Sequence, residues 1–256
     1  MIIKNRSPLF KRGTILDKEI LEYLRSDVRE YFDMKYKKNS VGVIEGFDIG
    51  VKEEVLHVEE GIFKWDGKTY KLSKLINIDI PEKDGDYYLK IKFHEEKELG
   101  KFLCNYFEIV LTTEKVEKNE LELARIKKRE GAEIRNYQKY QGIDKEYNQI
   151  NIIHQLQSTK TGISLNYKIL KLFSQEMLNE KELLELDKII CFMILEEKFE
   201  RESLNKYLSE KINIESEELS SEDIYIILEK ILRNSKNRKN IIKNNFKSKN
   251  KIMVEW

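Results

Sequence analysis

Two cysteines, two prolines and three histidines in 256 residues leave little material for several kinds of chemistry. Cys104 and Cys191 lie far apart, in the apolar stretches Phe102-Leu103-Cys104 and Ile189-Ile190-Cys191-Phe192-Met193. They read as buried free thiols, and their spacing resembles neither a secreted disulfide framework nor a paired-cysteine metal site. His57, His94 and His154 each stand alone in their segments, so no metal cluster is expected. No apolar run approaches the ~18 residues that a membrane helix needs, and no membrane partner is expected. An excess of one charge is also missing. The 47 basic and 46 acidic residues leave a net charge of +1, so no global field draws polyanions or acidic substrates. The few prolines, beside abundant Lys, Asn, Ile and Glu, point to an AT-rich genome rather than to a function.

Catalytic signatures are absent as well. Lys160-Thr161-Gly162 and Lys68-Thr69 lack the upstream glycines of a phosphate-binding loop. No serine sits in a nucleophile elbow. Acid pairs such as Glu53-Glu54, Glu59-Glu60 and Glu95-Glu96 follow from a glutamate-rich composition. A glycosidase needs two carboxylates held at a defined separation, and nothing selects such a pair. The expectation is a chain that is not an enzyme, with no catalytic residue, no cofactor and no metal.

What is present is a string of short alternating segments punctuated by glycine over Val41–Leu72. Gly42, Gly46, Gly50, Gly61 and Gly67 fall at turn or bulge positions. Asp66-Gly67, between Phe63-Lys64-Trp65 and Lys68-Thr69-Tyr70, carries the signal of a type I′ hairpin. Further strands are expected over Leu75–Ile80, Asp86–His94 and Phe102–Thr113. A hairpin joining Leu121–Lys128 to Ala132–Asn136 is expected through Arg129-Glu130-Gly131. In Asp86–His94 the residues Tyr87, Leu89, Ile91 and Phe93 form an apolar face, and Tyr88, Lys90, Lys92 and His94 a wet one. Strands at this spacing favour an antiparallel sandwich or barrel-like sheet.

Helices flank this region. Over Thr14–Lys35 the residues Ile20, Leu21, Leu24, Val28, Tyr31 and Phe32 recur on one face, with Thr14 and Asp17 as a capping box. Phe10-Lys11-Arg12-Gly13 ahead of it reads either as an arm that docks on a neighbour or as a frayed terminus. Residues 136–163, rich in Asn, Gln and Tyr, read as a polar linker or as an extended segment lying on something else. From Ser164 the period turns helical. Four helices are expected, with Asn179/Glu182 and Ser220/Asp223 as caps of the second and fourth. Arg233–Lys251 holds eight basic residues, six asparagines and no acid, a tail unable to fold alone but able to order on a partner. The fold class is therefore α+β: an N-terminal helix plus an antiparallel β sandwich or barrel-like domain, then a C-terminal all-α helical bundle. The segments are 1–40 (arm and helix), 41–135 (β domain), 136–163 (linker), 164–234 (bundle) and 235–256 (basic tail).

Two groups of residues carry a family resemblance. The first is Gly42-Val43-Ile44-Glu45-Gly46-Phe47-Asp48-Ile49 with Val58-Glu59-Glu60-Gly61-Ile62-Phe63 and Trp65-Asp66-Gly67-Lys68-Thr69-Tyr70-Lys71-Leu72. The second is Glu122-Leu123-Ala124-Arg125-Ile126-Lys127 followed by Gly131-Ala132-Glu133-Ile134-Arg135. Over residues 1–150 the chain resembles phage tail baseplate and tail-fibre-attachment proteins of contractile phages and phage-tail-like bacteriocins. The resemblance implies a structural subunit in a multi-subunit assembly. Its partners would be other baseplate or tail subunits and a fibre or receptor-binding protein. With no signal-peptide core in Met1-Ile2-Ile3-Lys4-Asn5-Arg6, synthesis in the cytoplasm is expected, and the resemblance implies a mature place in a virion or tail-like particle. Contact residues expected on this reading are Phe10, Phe63, Trp65, Tyr70, Tyr137, Tyr140 and Trp256, with Trp65 foremost because hairpin tips are usually exposed. Two alternatives stand beside it. One is a nucleic-acid-associated protein using the basic tail, disfavoured because only Phe246 interleaves with the charges. The other is a carbohydrate-binding module built on Trp65, Tyr70 and nearby carboxylates.

Overall fold

The computed structural model describes residues 15–94, 97–99, 102–104, 106–180, 183–212 and 219–249. A helix, α1 (Lys18–Lys35), leads into β1 (Gly42–Gly46), β2 (Ile49–Lys52), β3 (Val55–Val58), β4 (Gly61–Trp65), β5 (Lys68–Leu72) and β6 (Ile76–Asp79). These are followed by β7 (Gly85–Phe93), β8 (Lys97–Leu99), β9 (Phe102–Cys104), β10 (Phe107–Thr112) and β11 (Glu120–Lys128). Three short strands come next: β12 (Ile150–Asn151), β13 (Gln157–Thr159) and β14 (Gly162–Ser164). The chain closes with α2 (Tyr167–Leu178), α3 (Glu185–Leu195), α4 (Arg201–Ile212) and α5 (Ser221–Lys249). The architecture is α+β.

The strands form sheets of order β14-β13-β1-β4-β5, β10-β7-β11-β12 and β2-β3-β6, with β8-β9 as a separate pair, and none of them closes into a barrel. Among the described residues the strand pairings are antiparallel except β1 with β13, where Val43 lies beside Gln157. The hairpin at Asp66-Gly67 forms as the dipeptide dictates. Both residues have positive φ (45° and 71°), and Trp65 pairs with Lys68 across the turn. Gly46 (φ 72°) answers a different demand, since a Cβ there would stand 2.1 Å from the Glu60 carbonyl oxygen. The β1–β4 crossing is closed to any other residue.

Of the two readings of residues 136–163, the strand pairings fit the extended segment lying on other parts of the protein rather than the linker. β12 pairs with β11, and β13 with β1. The polar side chains responsible for the linker reading are buried, among them Asn148, Gln149, Asn151, Gln155, Gln157, Ser158 and Thr159. The amides of Gln155 and Gln157 bond to main chain: Gln155 donates to the Phe47 carbonyl at 3.1 Å and Gln157 to that of Val43 at 3.0 Å. A polar group buried with its partner costs little, so composition alone could not place this segment. The expected hairpin from β11 into Ala132–Asn136 is likewise replaced. Asn148 donates its own N–H to the Lys127 carbonyl, and its side-chain amide both accepts from and donates to the Arg129 backbone. That continues the β11 ladder and seats β12 on its edge.

One core runs without a break from Val43 in β1 to Leu232 in α5. The seam between the strands and the helices is locked by two tyrosines. The Tyr140 hydroxyl donates to the Tyr225 carbonyl (2.8 Å), and the Tyr225 hydroxyl to that of Tyr140 (2.7 Å), with the rings 4.8 Å apart. The wet face expected on β7 is only partly wet. Lys90 is buried, its ammonium 2.7 Å from Glu120 and donating to the Lys115 carbonyl.

The helix caps divide similarly. Ser220 and Asp223 exchange bonds at the start of α5 as the capping box requires. Asn179 instead ends α2, and α3 starts after Leu184 with no side-chain cap. The N-cap of α1 is Asp17 itself, whose carboxylate accepts from the Ile20 N–H at 2.9 Å. α5 runs on as helix to Lys249, past the expected bundle end at 234.

Candidate interaction surface

α1 is held at its C-terminal end and little elsewhere. The Lys64 ammonium on β4 donates to the carbonyls of Tyr36 (2.8 Å), Lys37 (3.0 Å) and Asn39 (2.8 Å), in the turn that follows the helix. Tyr36 is buried, and Ser40 is stitched to β13 and β14 through Thr159, Ser158 and Gly162. Upstream of this anchor the helix faces solvent. Leu21, Leu24, Val28 (59% exposed), Tyr31, Phe32 and Met34 (70%) are all exposed, as are Ile15 and Leu16 just before the helix. The apolar periodicity expected for α1 is real, but among the described residues most of the stripe is left open to solvent, the helix meeting the body near β5. Phe32 borders an open groove of about 280 Å³ that Ile62 and Tyr70 also line.

A second apolar face lies on α3. Ile190, Cys191 and Ile194 pack inward, whereas Ile189 (56%), Phe192 (57%) and the preceding Leu184 (50%) face outward. A helix that is apolar on nearly every side belongs in an interior, and here one side is left uncovered by the described residues.

Of the residues expected to make contacts, Tyr70 lines the groove that Phe32 borders, and the other described ones sit elsewhere. Phe63 is fully buried. Tyr70 stacks on it at 5.1 Å, and Trp65 stacks on Phe93 at 4.7 Å with both rings nearly parallel. These three do come together, but as the aromatic layer between two sheets, because alternation on β4 and β5 turns them toward Phe93 and Phe107 of β7 and β10. Trp65 and Tyr70 are half-buried there. Tyr140 is core, as described above. Tyr137 is half-buried, and burial, with the Asp48 charge nearby, pushes its hydroxyl pKa upward. Phe10 and Trp256 lie outside the described residues. The exposure of the α1 stripe escaped sequence reading because periodicity reports a face without reporting what covers it. Its signal was the narrow three–four–three spacing of Leu21, Leu24, Val28 and Tyr31, which fits a helix–helix seam better than a broad core-facing stripe.

No family model matches the sequence, and no curated protein matches it. A structural match is weak. The solved structure described as "Crystal structure of TssK" is similar over 89% of this chain and 67% of that chain, at 9% identity and a TM-score of 0.34. A superposition of that quality defines no shared fold.

The titratable groups are dispersed. Among the described residues no cluster of His, Cys, Asp and Glu is placed to hold a metal ion, and no helix is long and apolar enough to cross a membrane. The polar groove between β1, β13 and α2 contains lysines that are paired: Lys168 with Asp48 at 2.8 Å, and Lys171 with Glu197. Burial lifts the Cys191 thiol to about 11, which makes it a poor nucleophile. His154 is the group with a physiological consequence. Burial, reinforced by the Arg125 charge and opposed by Glu222, lowers its pKa from 6.5 to about 4. Between those values the unfolded chain takes up the proton and the folded chain does not. The part of the stability that rests on neutral His154 is therefore complete above pH 6.5 and is lost as pH falls toward 4, an effect on the order of 3 kcal/mol. Urea unfolding at a series of pH values should show this slope between pH 6.5 and 5, and His154→Gln should flatten it.

Proposed function

We propose that this chain is a structural subunit of a baseplate, in a phage tail or a phage-tail-like contractile particle, and that it has no catalytic role. The observation that carries this reading is the pair of uncovered apolar faces, on α1 and on α3, on one body with a continuous core. A subunit that holds two neighbours in register needs two such faces fixed relative to each other, and the interlocked tyrosines and the Lys64 cap supply that fixity. The glycine-punctuated motifs of residues 42–72 support the choice of assembly. Its partners are other baseplate or tail subunits, with a fibre or receptor-binding protein as the appended component, and nucleic acid and membrane are not among them. In density-gradient fractions of the native host, the protein should sediment with large particles. The variant Ile189→Asp/Phe192→Asp, folded by circular dichroism, should shift to the slow fractions. Wild-type protein found only as a free, slowly sedimenting species would overturn the proposal.

A further inference from the structure

We infer that the α1 stripe is a self-association face, and that its occupant is α1 of a second copy of this chain, packed antiparallel. This rests on reading α1 as an interaction face and names its partner.

The spacing carries the inference. Asp17, Leu21, Leu24, Val28, Tyr31 and Lys35 follow one another at intervals of four, three, four, three and four residues, a sequence that is the same from either end. At about 100° per residue these six positions lie within about 40° of one line along the helix. A two-fold axis through the middle of α1 then lays Leu24 at the level of Val28 of the second copy and Leu21 at the level of Tyr31. Ile20 and Phe32 flank them in the same symmetric relation. Such a face is complementary to its own reverse, which is the condition for a closed, isologous pair.

Charge selects the direction. Asp17 and Lys35 are both exposed and lie on the stripe's line at opposite ends. Antiparallel packing sets Asp17 beside Lys35 of the second copy, at both ends at once. Parallel packing sets aspartate beside aspartate and lysine beside lysine. The same axis brings Ile20 of the second copy to the level of Phe32, which borders the groove that Ile62 and Tyr70 also line. Because Lys64 already fixes the helix to the body, little ordering remains to oppose association.

Sedimentation velocity on the purified full chain, from low micromolar to about 100 µM, tests this. A concentration-dependent dimer is expected. Leu24→Asp/Val28→Asp should weaken it about 100-fold or more with the circular dichroism spectrum unchanged. Lys35→Glu should weaken it several-fold at low salt, because both end pairs become acid against acid, whereas a parallel pair would merely exchange one like-charge contact for another. A chain that stays monomeric at about 100 µM would overturn the inference. So would a dimer indifferent to Leu24→Asp/Val28→Asp, or one lost in that variant yet indifferent to Lys35→Glu. A monomer that still sediments with host particles would leave the assembly reading standing and remove this partner from it.

Discussion

Phe63→Ala should destabilise the protein by about 3–5 kcal/mol and lower its Tm by on the order of 10 °C. The ring is fully buried and sits where two sheets meet. It stacks on Tyr70 at 5.1 Å, meets Phe47 and Phe107 edge-on at 5.3 and 5.2 Å, and touches Phe93 at 5.9 Å. Truncation removes the apolar transfer energy and leaves a cavity walled by four other aromatic rings, which cannot collapse without breaking their own stacking. Phe63→Leu keeps most of the volume and should cost under about 1.5 kcal/mol. Chemical denaturation of the three proteins checks both values. A surface role for Phe63 predicts the reverse pattern: near-wild-type stability for Phe63→Ala and a loss of binding.

Tyr140→Ala should cost a similar amount, about 3–5 kcal/mol, for a compound reason. The substitution empties a fully buried site beside Phe173 and Tyr225 and also takes away the donor to the Tyr225 carbonyl. Tyr140→Phe separates the two effects. It retains the ring, leaves a buried carbonyl without that donor, and should cost about 1–3 kcal/mol. Tyr225→Phe should behave alike, and the double variant should cost less than the sum, because the two bonds close one ring of contacts. If the strands and the helices were independent units, unfolding of Tyr140→Ala would show two transitions. A shared core predicts one transition, shifted.

The two variants also mark what could be read before the fold was known. Turn chemistry is local, so Asp66-Gly67 and the Ser220/Asp223 box were legible from a few neighbouring residues. Alternation on β7 correctly placed Leu89 and Ile91 inward. The same alternation sent Lys90 to solvent, because periodicity does not include Glu120, thirty residues away, with which Lys90 is buried. Asn148, Gln155 and Gln157 escaped for the same reason: their partners are distant main-chain groups of Arg129, Phe47 and Val43. The interaction surface was legible only as a pattern. Sequence showed an apolar stripe on α1 but assigned contact roles to aromatics that the sheets turned inward, since aromatic content marks cores and interfaces equally.

The most direct test of the assembly role is negative-stain electron microscopy of the tagged protein purified from its native host. Tail-like particles carrying the tag at one end are the expected result. Free protein, or protein recovered with nucleic acid and no particle, would contradict it.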